Sequence, residues 1–240
     1  MSEARKLLIE AERIDSYRAK CKASILNELA RSECNYAPFF VSPEDAQRLR
    51  SLIYRIELLN GADIVILHSS ADNGFPHTRP KAIICLPDSA VTGAKEETLS
   101  DLLRHEAMHI HQRKFPELWR DKCKAEGWTP VPTNDIPLEF RRRCRINPDT
   151  CYDTPFWAWA THHVPLPMFK NGESLSLSDV NIEWLDRRTG AIFHEPPKSF
   201  TEKYGSPSQP EHPYEIYAVK YAAAGISSHS ALYNKLVTSD

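Results

Sequence analysis

The sequence has no apolar run long enough to cross a bilayer and no large excess of charge of either sign. Lysine and arginine number 30 and aspartate and glutamate number 32, so the formal net charge is −2. Neither a membrane protein nor a general nucleic-acid-binding protein is therefore expected. No internal repeat or low-complexity tail is visible, and hydrophobic residues make up 41% of the 240 positions. This composition is ordinary for a domain with one sizeable core or two small lobes.

The six cysteines also lack the close pairing of a zinc knuckle. Cys144 and Cys151 are the nearest pair, and they are too far apart for a Cys-x-x-Cys motif. The N-terminus leads into an amphipathic stretch and does not have the apolar segment of a signal peptide. We therefore expect reduced thiols and a cytoplasmic protein, although an unconventional export route is compatible with the same sequence.

One short motif indicates a specific chemistry. Residues 104–110 read RHEAMHI and contain His-Glu-x-x-His. Residues four apart lie on one face of a helix, so His105 and His109 can direct ring nitrogens at one zinc ion. Glu106 would then lie beside the ion as a general base without binding it. Two imidazole ligands, a base and an open position for water are the parts of a zinc hydrolase.

The context of the motif is helical. One stripe with helical spacing carries Leu99, Leu102, Leu103, Glu106 and Ile110. Thr98 and Asp101 can form a capping box at or near the helix start, and Pro116 ends the run. A carboxylate in a buried stripe is costly unless it is paired or near a metal, which favours a catalytic Glu106 over a helix that turns it to the edge. We expect His111 and Gln112 to be solvated or to support the ligands.

A third protein ligand is usual for catalytic zinc, and two glutamates are candidates for it. Pro213 suits the first position of a helix that would end before Gly225, and Glu215 then lies in its first turn. Glu211 is the alternative ligand, but it precedes Pro213 and so lies outside the helix. Without the upstream motif, Glu215 would be explained as a first-turn carboxylate that favours the helix dipole.

The two segments together resemble the gluzincins, zinc metallopeptidases with His-Glu-x-x-His and a glutamate ligand on a second helix. The resemblance implies that His105, His109 and Glu215 bind one zinc ion per chain and that Glu106 is the base. It also implies an α+β, zincin-like fold: a small mixed β-sheet, an active-site helix and a mainly helical or irregular C-terminal lobe. It covers only these segments. Val219 departs from the pattern, because some gluzincins have an acidic residue there that supports a histidine.

The rest of the chain predicts a single catalytic domain, 1–240, with an N-terminal lobe of about 1–127 and a C-terminal lobe of about 128–240. Besides the motif helix, helical patterns cover about 3–30, 43–59, 115–127, 213–224 and 228–237. Residues 128–169 are rich in proline and aromatic side chains, and we expect irregular structure there. Residues 195–210 are expected to form a loop.

Strand patterns are few. Asp63–His68 and Lys81–Leu86 precede the motif helix, as strands do in zincin-like folds, and Val180–Asp186 with Ala191–Glu195 predicts a hairpin. In that family the outer strand pairs with the substrate backbone, because a strand edge offers free N–H and C=O groups. Lys81–Leu86 is the candidate for that edge, and an ordinary core strand is the alternative.

Peptide hydrolysis also needs a hydrogen-bond donor for the tetrahedral oxyanion. Candidates are Tyr214, Tyr217, Tyr221, His212, His162 and His163, of which we retain Tyr217, Tyr221 and His163. Each is more simply explained as structural. The basic run 141–145 could bind an acidic group of a peptide or protein substrate, although a solvated face is the simpler interpretation.

Two other functions compete with a metallopeptidase. Peptide deformylases carry the same motif but take a ligand from a Gly-Cys-Leu segment, and here Ile84 precedes Cys85 and Leu86. A catalytically inactive zincin-fold binding protein is the other alternative. The intact Glu106 argues against it, because a structural zinc site needs no base and fills all four positions with protein ligands.

Overall fold

In the computed structural model, which describes residues 2–170 and 176–224, runs of helices and runs of strands form an α+β arrangement with two sheets. The predicted α+β class is confirmed. Among the helices of these residues, none combines the length and the apolar character needed to cross a bilayer. The predicted terminal helix, 228–237, lies outside the described residues.

Two compact units divide the chain. Of the described residues, the first unit comprises 2–16, 33–118 and 217–224, and the second comprises 17–32, 119–170 and 176–216. The lobes expected from the sequence, about 1–127 and 128–240, divide the chain at other residues.

The predicted helix over about 3–30 is wrong, because three helices occupy it: α1 (Glu3–Asp15), α2 (Tyr17–Lys22) and α3 (Ile25–Leu29). Ser16 adopts a left-handed φ of 52° after α1 and donates its backbone N–H to the carbonyl of Glu12. Serine side chains compete for backbone hydrogen bonds and favour helix ends, which apolar periodicity does not register. Of these three helices, only α1 belongs to the first unit.

A mixed sheet lies in the first unit after helix α4 (Pro43–Tyr54), whose start at Ser42 and Pro43 is confirmed. A short 3₁₀ turn at Glu57–Leu59 replaces the last turn of the predicted helix. The strands β1 (Asp63–Leu67), β2 (His77–Arg79) and β3 (Ile83–Pro87) follow in the spatial order β1-β3-β2. β1 is parallel to β3, and β2 is antiparallel to it.

The proposed substrate-binding edge at Lys81–Leu86 is wrong. β3 is the central strand, it is paired on both sides, and all five of its residues are buried. A continuous apolar run is typical of such a strand, so the ordinary core-strand alternative applies. β2 is not among the strands predicted from the sequence, and with β1 it forms the edges of this sheet.

The motif lies near the middle of helix α6 (Glu96–Lys114), which follows the short α5 (Asp88–Val91) and precedes α7 (Pro116–Ala125). The predicted capping box is wrong, because α6 begins two residues before Thr98, and Lys95 at its N-cap makes no side-chain capping bond. Instead, the negative charges of Glu96 and Glu97 in the first turn stabilise the helix by interacting with the positive end of its dipole. Thr98 and Asp101 are therefore ordinary helix residues.

The apolar face of α6 packs on the mixed sheet and on α4. The cluster contains Leu49, Leu52, Ile56, Leu59, Ile84, Leu86, Val91, Leu99, Leu103, Ala107 and Ile110. Burying each such side chain stabilises the fold by roughly 1.5–3 kcal/mol. This packing fixes the rotation of α6 and thereby the direction of its opposite face, which carries the histidines.

An antiparallel sheet dominates the second unit, so the mainly helical or irregular C-terminal lobe is wrong. It contains β4 (Trp128–Pro130), β5 (Trp157–Trp159), β6 (His163–Phe169), β7 (Val180–Asp186) and β8 (Ile192–Phe193), in that order. The predicted hairpin is confirmed as β7 and β8. β6 contains Pro165 and Pro167, which weaken a strand pattern, but both lie beyond the Trp159–His163 position where β5 pairs with β6.

Two further helices belong to the second unit, α8 (Leu138–Arg141) and α9 (Lys198–Tyr204). The predicted loop 195–210 is therefore wrong where α9 forms. Phe200 explains this helix, because its ring packs 4.8 Å from that of Trp184 and 5.9 Å from that of Trp159, measured between centroids. The last helix, α10 (Pro213–Ala223), is confirmed, and it continues from the second unit into the first.

Candidate metal centre

α6 brings the two motif histidines together. Their Nε2 atoms are 3.1 Å apart and their ring centroids 4.8 Å apart. His109 is 1% exposed, whereas His105 is half-buried. Two imidazole ligands at 2.0–2.1 Å from a tetrahedral ion would be about 3.3 Å apart, so the observed spacing is close to that of a ligand pair.

Gln112 holds the His109 ring from behind. Its Oε1 lies 2.7 Å from His109 Nδ1, and the glutamine is fully buried one helical turn after the histidine. The amide oxygen accepts the Nδ1 proton, which leaves the lone pair on Nε2 for a cation. Of the two roles expected for Gln112, the supporting one fits this contact.

The neighbouring His111 is also buried, so its predicted solvation is wrong. Burial, and then the charge of Lys114, lower the pKa of His111 to about 4. Its ring packs 4.7 Å from that of Phe115. His111 is therefore a neutral core side chain.

Glu106 is 3% exposed and directly follows His105 on α6. Its predicted burial is confirmed. A buried carboxylate directly after a candidate ligand can accept a proton in a site that excludes most bulk water.

Arg104 joins α10 to α6 within the first unit. Its Nη2 and Nε donate to the carbonyl of Ala222 at 2.6 and 3.1 Å, and its Nη1 donates to Ser100 Oγ. The last carbonyls of a helix have no partner within it, so this arginine satisfies the end of α10. Tyr217 and Tyr221 lie on that part of α10, one turn apart, and are 2% and 1% exposed.

Glu215 lies in the first turn of α10 and is 1% exposed. Asn147 Nδ2 donates to its Oε1 at 2.7 Å, and Asn147 Oδ1 in turn accepts the backbone N–H of Asp149. His105 and His109 belong to the first unit, and Glu215 belongs to the second.

Glu211 precedes α10, as Pro213 predicts, and Arg145 Nη2 donates to its Oε1 at 3.0 Å. Burial and the charge of Glu215 raise the pKa of Glu211 to about 7, while Arg145 opposes the shift. Among the described residues, the groups of potential metal ligands do not include Glu211. Arg145 of the basic run is thus engaged inside the protein.

The other candidate donors lie in the second unit. His212 Nε2 contacts the carbonyl of Thr154 at 2.9 Å, and its Nδ1 accepts the backbone N–H of Tyr214, so it stabilises the start of α10. His163 begins β6, pairs in register with Asp186 and, with His162, forms a second group of potential ligands.

Asn147 was not predicted from the sequence as a supporting residue, and the role of Gln112 was left open between a solvated and a supporting one. Gln112 has a local signal, since it lies three residues after His109 on the same helix. Asn147 has none beyond a turn motif, because its contact with Glu215 joins residues far apart in sequence.

No protein-family model, curated protein or solved structure matches the chain. A functional assignment therefore depends on the residues and contacts described above.

Proposed function

We propose that this chain is a zinc-dependent metallopeptidase of the gluzincin type, with His105, His109 and Glu215 as zinc ligands and Glu106 as general base. The observation that carries the proposal is the pair of motif histidines on α6, whose Nε2 atoms are 3.1 Å apart, close to the spacing of two zinc ligands. The sequence motif supplies the base at the position that a hydrolase requires.

The residues fit zinc by their chemistry. Two neutral imidazoles and one carboxylate are a common ligand set for catalytic zinc, and they leave a position for water. Gln112 selects the His109 tautomer whose lone pair is on Nε2. Asn147 donates to one oxygen of Glu215 and so orients the carboxylate. Carboxamide partners of this kind orient ligands without adding charge.

Bound zinc would polarise the scissile carbonyl and lower the pKa of a water molecule toward neutrality. Glu106 would accept the proton of that water and return it to the leaving amine. Tyr217 and Tyr221 are buried phenols on α10 and remain the candidate donors for the developing oxyanion.

A zincin-like fold is part of the proposal. The mixed sheet β1-β3-β2 precedes the motif helix, with the short α5 between them, and the resemblance implies a sheet at this place in the chain. Because β3 is central, an extended peptide substrate would pair with an edge strand, β1 or β2. A cytoplasmic location is supported by six free cysteines.

The alternatives receive less support. A deformylase-like site would need Cys85 as a ligand, but this thiol is fully buried in β3, and its Sγ lies 3.7 Å from the hydroxyl of Tyr36. A non-catalytic zincin-fold protein would not need Glu106.

Comparing the wild-type protein with Glu106→Gln tests the proposed activity. Both proteins are loaded with one zinc equivalent and incubated with a denatured proteome digest, and new termini are identified by mass spectrometry. We expect cleavage by the wild type and a loss of roughly 10²–10⁴-fold in Glu106→Gln, which retains zinc. Equal cleavage by both would contradict the proposal, as would no cleavage by a wild type that holds zinc.

A further inference from the structure

A second group of potential metal ligands lies in the second unit, where β6 begins and β7 ends. His163 and Asp186 are register partners on these antiparallel strands, and His162 precedes His163. One ligand atom from each of the three lies within 4.8 Å of the others. The two imidazole rings are 4.0 Å apart between centroids, at an angle of 46°.

Backbone hydrogen bonds hold the three residues in place. The N–H of Arg187 donates to the carbonyl of His162 at 2.9 Å. Asp186 donates its N–H to Ala191 at 2.9 Å and accepts that of Gly190 at 2.7 Å. The donors are therefore carried by a strand pair and its tight turn, which fix their positions better than an exposed loop would.

Asp186 is already bound by a cation, the guanidinium of Arg188. Its Oδ1 accepts from the backbone N and Nε of Arg188 at 2.9 and 3.3 Å, and its Oδ2 accepts from Nη2 at 3.1 Å. The Asp186 side chain is 6% exposed, whereas that of Arg188 is 64% exposed. The arginine can therefore turn into solvent at little cost if another cation takes its place.

The histidines suit a transition metal. Nδ1 of His163 is buried and has no hydrogen-bond partner within the described residues. Burial, and then the nearby His162, lower the pKa of His163, which favours the neutral ring that binds metals. His162 and Arg188 also line a cleft of about 530 Å³, through which an ion and its water ligands can enter.

We propose that His162, His163 and Asp186 bind a divalent first-row transition metal ion such as Zn²⁺ or Co²⁺, and that this ion displaces the side chain of Arg188 from Asp186. Two imidazoles and a carboxylate select such ions over Mg²⁺ and Ca²⁺, which prefer all-oxygen sites. The proposal is independent of the peptidase function.

Because Arg188 competes with the ion, substitutions of the ligands and of Arg188 should change the Co²⁺ affinity in opposite directions. His163→Ala and Asp186→Asn each remove a ligand, and we expect them to weaken Co²⁺ binding at this site at least tenfold. Arg188→Ala removes the competing cation, so binding should tighten several-fold. A metal-free structural cluster would show neither effect.

The experiment is a Co²⁺ titration of the full chain by calorimetry and visible absorption, with the fold of each variant checked by circular dichroism. His194→Ala is the matched control, because His194 is 84% exposed and contacts a carboxylate, that of Glu183, on the same sheet. We expect wild-type binding in this control and no competition by Mg²⁺. The proposal is overturned if His163→Ala and Asp186→Asn bind like the wild type, or if Arg188→Ala binds more weakly. His109→Ala removes only the α6 site, so the two sites can fail separately.

Discussion

The two metal sites proposed for this chain share a donor set, two histidines and one carboxylate, but their surroundings differ. In the first, carboxamides contact the proposed ligands: Gln112 contacts His109 and Asn147 contacts Glu215. On β6 and β7, a guanidinium occupies the carboxylate of Asp186. Neutral partners leave a ligand free to bind a cation, whereas a charged partner competes with it. The first group also has Glu106, the proposed general base, so under our proposal the surroundings and not the donor set distinguish a catalytic site from a plain ion site.

The largest expected effect comes from making the same change in both groups. Glu215→Gln removes a zinc ligand of the proposed active site, and we expect peptide cleavage to fall at least ~100-fold as zinc is lost. Asp186→Asn changes the second group alone, so cleavage should stay within about twofold of the wild type. Initial rates at equal protein concentration measure both.

A similar loss of cleavage in both variants would contradict the proposed difference between the two groups. It would mean that the second group also serves the reaction. Thermal melting of each variant checks that a loss of rate is not a loss of fold.

A smaller effect is expected from the carboxamides. Gln112→Ala removes the partner of His109 Nδ1, and its zinc affinity should fall roughly 10–100-fold. Gln112→Glu restores an acceptor at this position and should retain near wild-type affinity. Competition with a chromogenic chelator measures both constants. Unchanged affinity in Gln112→Ala would show that the contact does not orient the ligand.

The effect with the smallest consequence for function concerns the segment that carries Asn147, which lies between Cys144 and Cys151. Burial raises the pKa of Cys144 to about 12, so the reactive thiolate is scarce at pH 8 and increases only as the pH approaches that value. Cys151 is half-buried, so its thiol is more accessible than that of Cys144. We expect iodoacetamide to label Cys151 at least ~100-fold faster than Cys144 at pH 8, with the difference lost in urea. Equal native rates, measured by peptide mass spectrometry, would show that this segment opens and supports Glu215 poorly.

The local sequence was sufficient to predict the helices and the hairpin that interactions between neighbouring residues determine. α6 and α10 follow from apolar spacing and from Pro213, and the hairpin of β7 and β8 follows from its turn. The break at Ser16 was missed because a single serine in a left-handed conformation interrupts a periodic pattern without changing it. The capping box at Thr98 failed because good helix formers carry α6 further toward the N-terminus than the box.

Elsewhere, the prediction from sequence was limited by pairing between residues that are distant along the chain. β4 and β5 are three residues each, too short for an alternating pattern, and they pair across an interval of more than twenty residues. The central place of β3 depends on β2, whose three residues look like part of a turn. For the same reason the motif indicated His105, Glu106 and His109, whereas the contact of Asn147 with Glu215 required the structure.

Metal content tests the central claim most directly. Purified wild type, His109→Ala, Glu215→Ala and Glu211→Ala are incubated with one equivalent of zinc, dialysed against a weak chelator and analysed by mass spectrometry. Because Arg188 competes for the second group, zinc bound there is expected to pass to the chelator. The account therefore predicts one tightly held zinc ion per chain in the wild type and in Glu211→Ala, and its loss in His109→Ala and Glu215→Ala. A wild type without zinc, or a zinc ion that depends on Glu211 and not on Glu215, would contradict it.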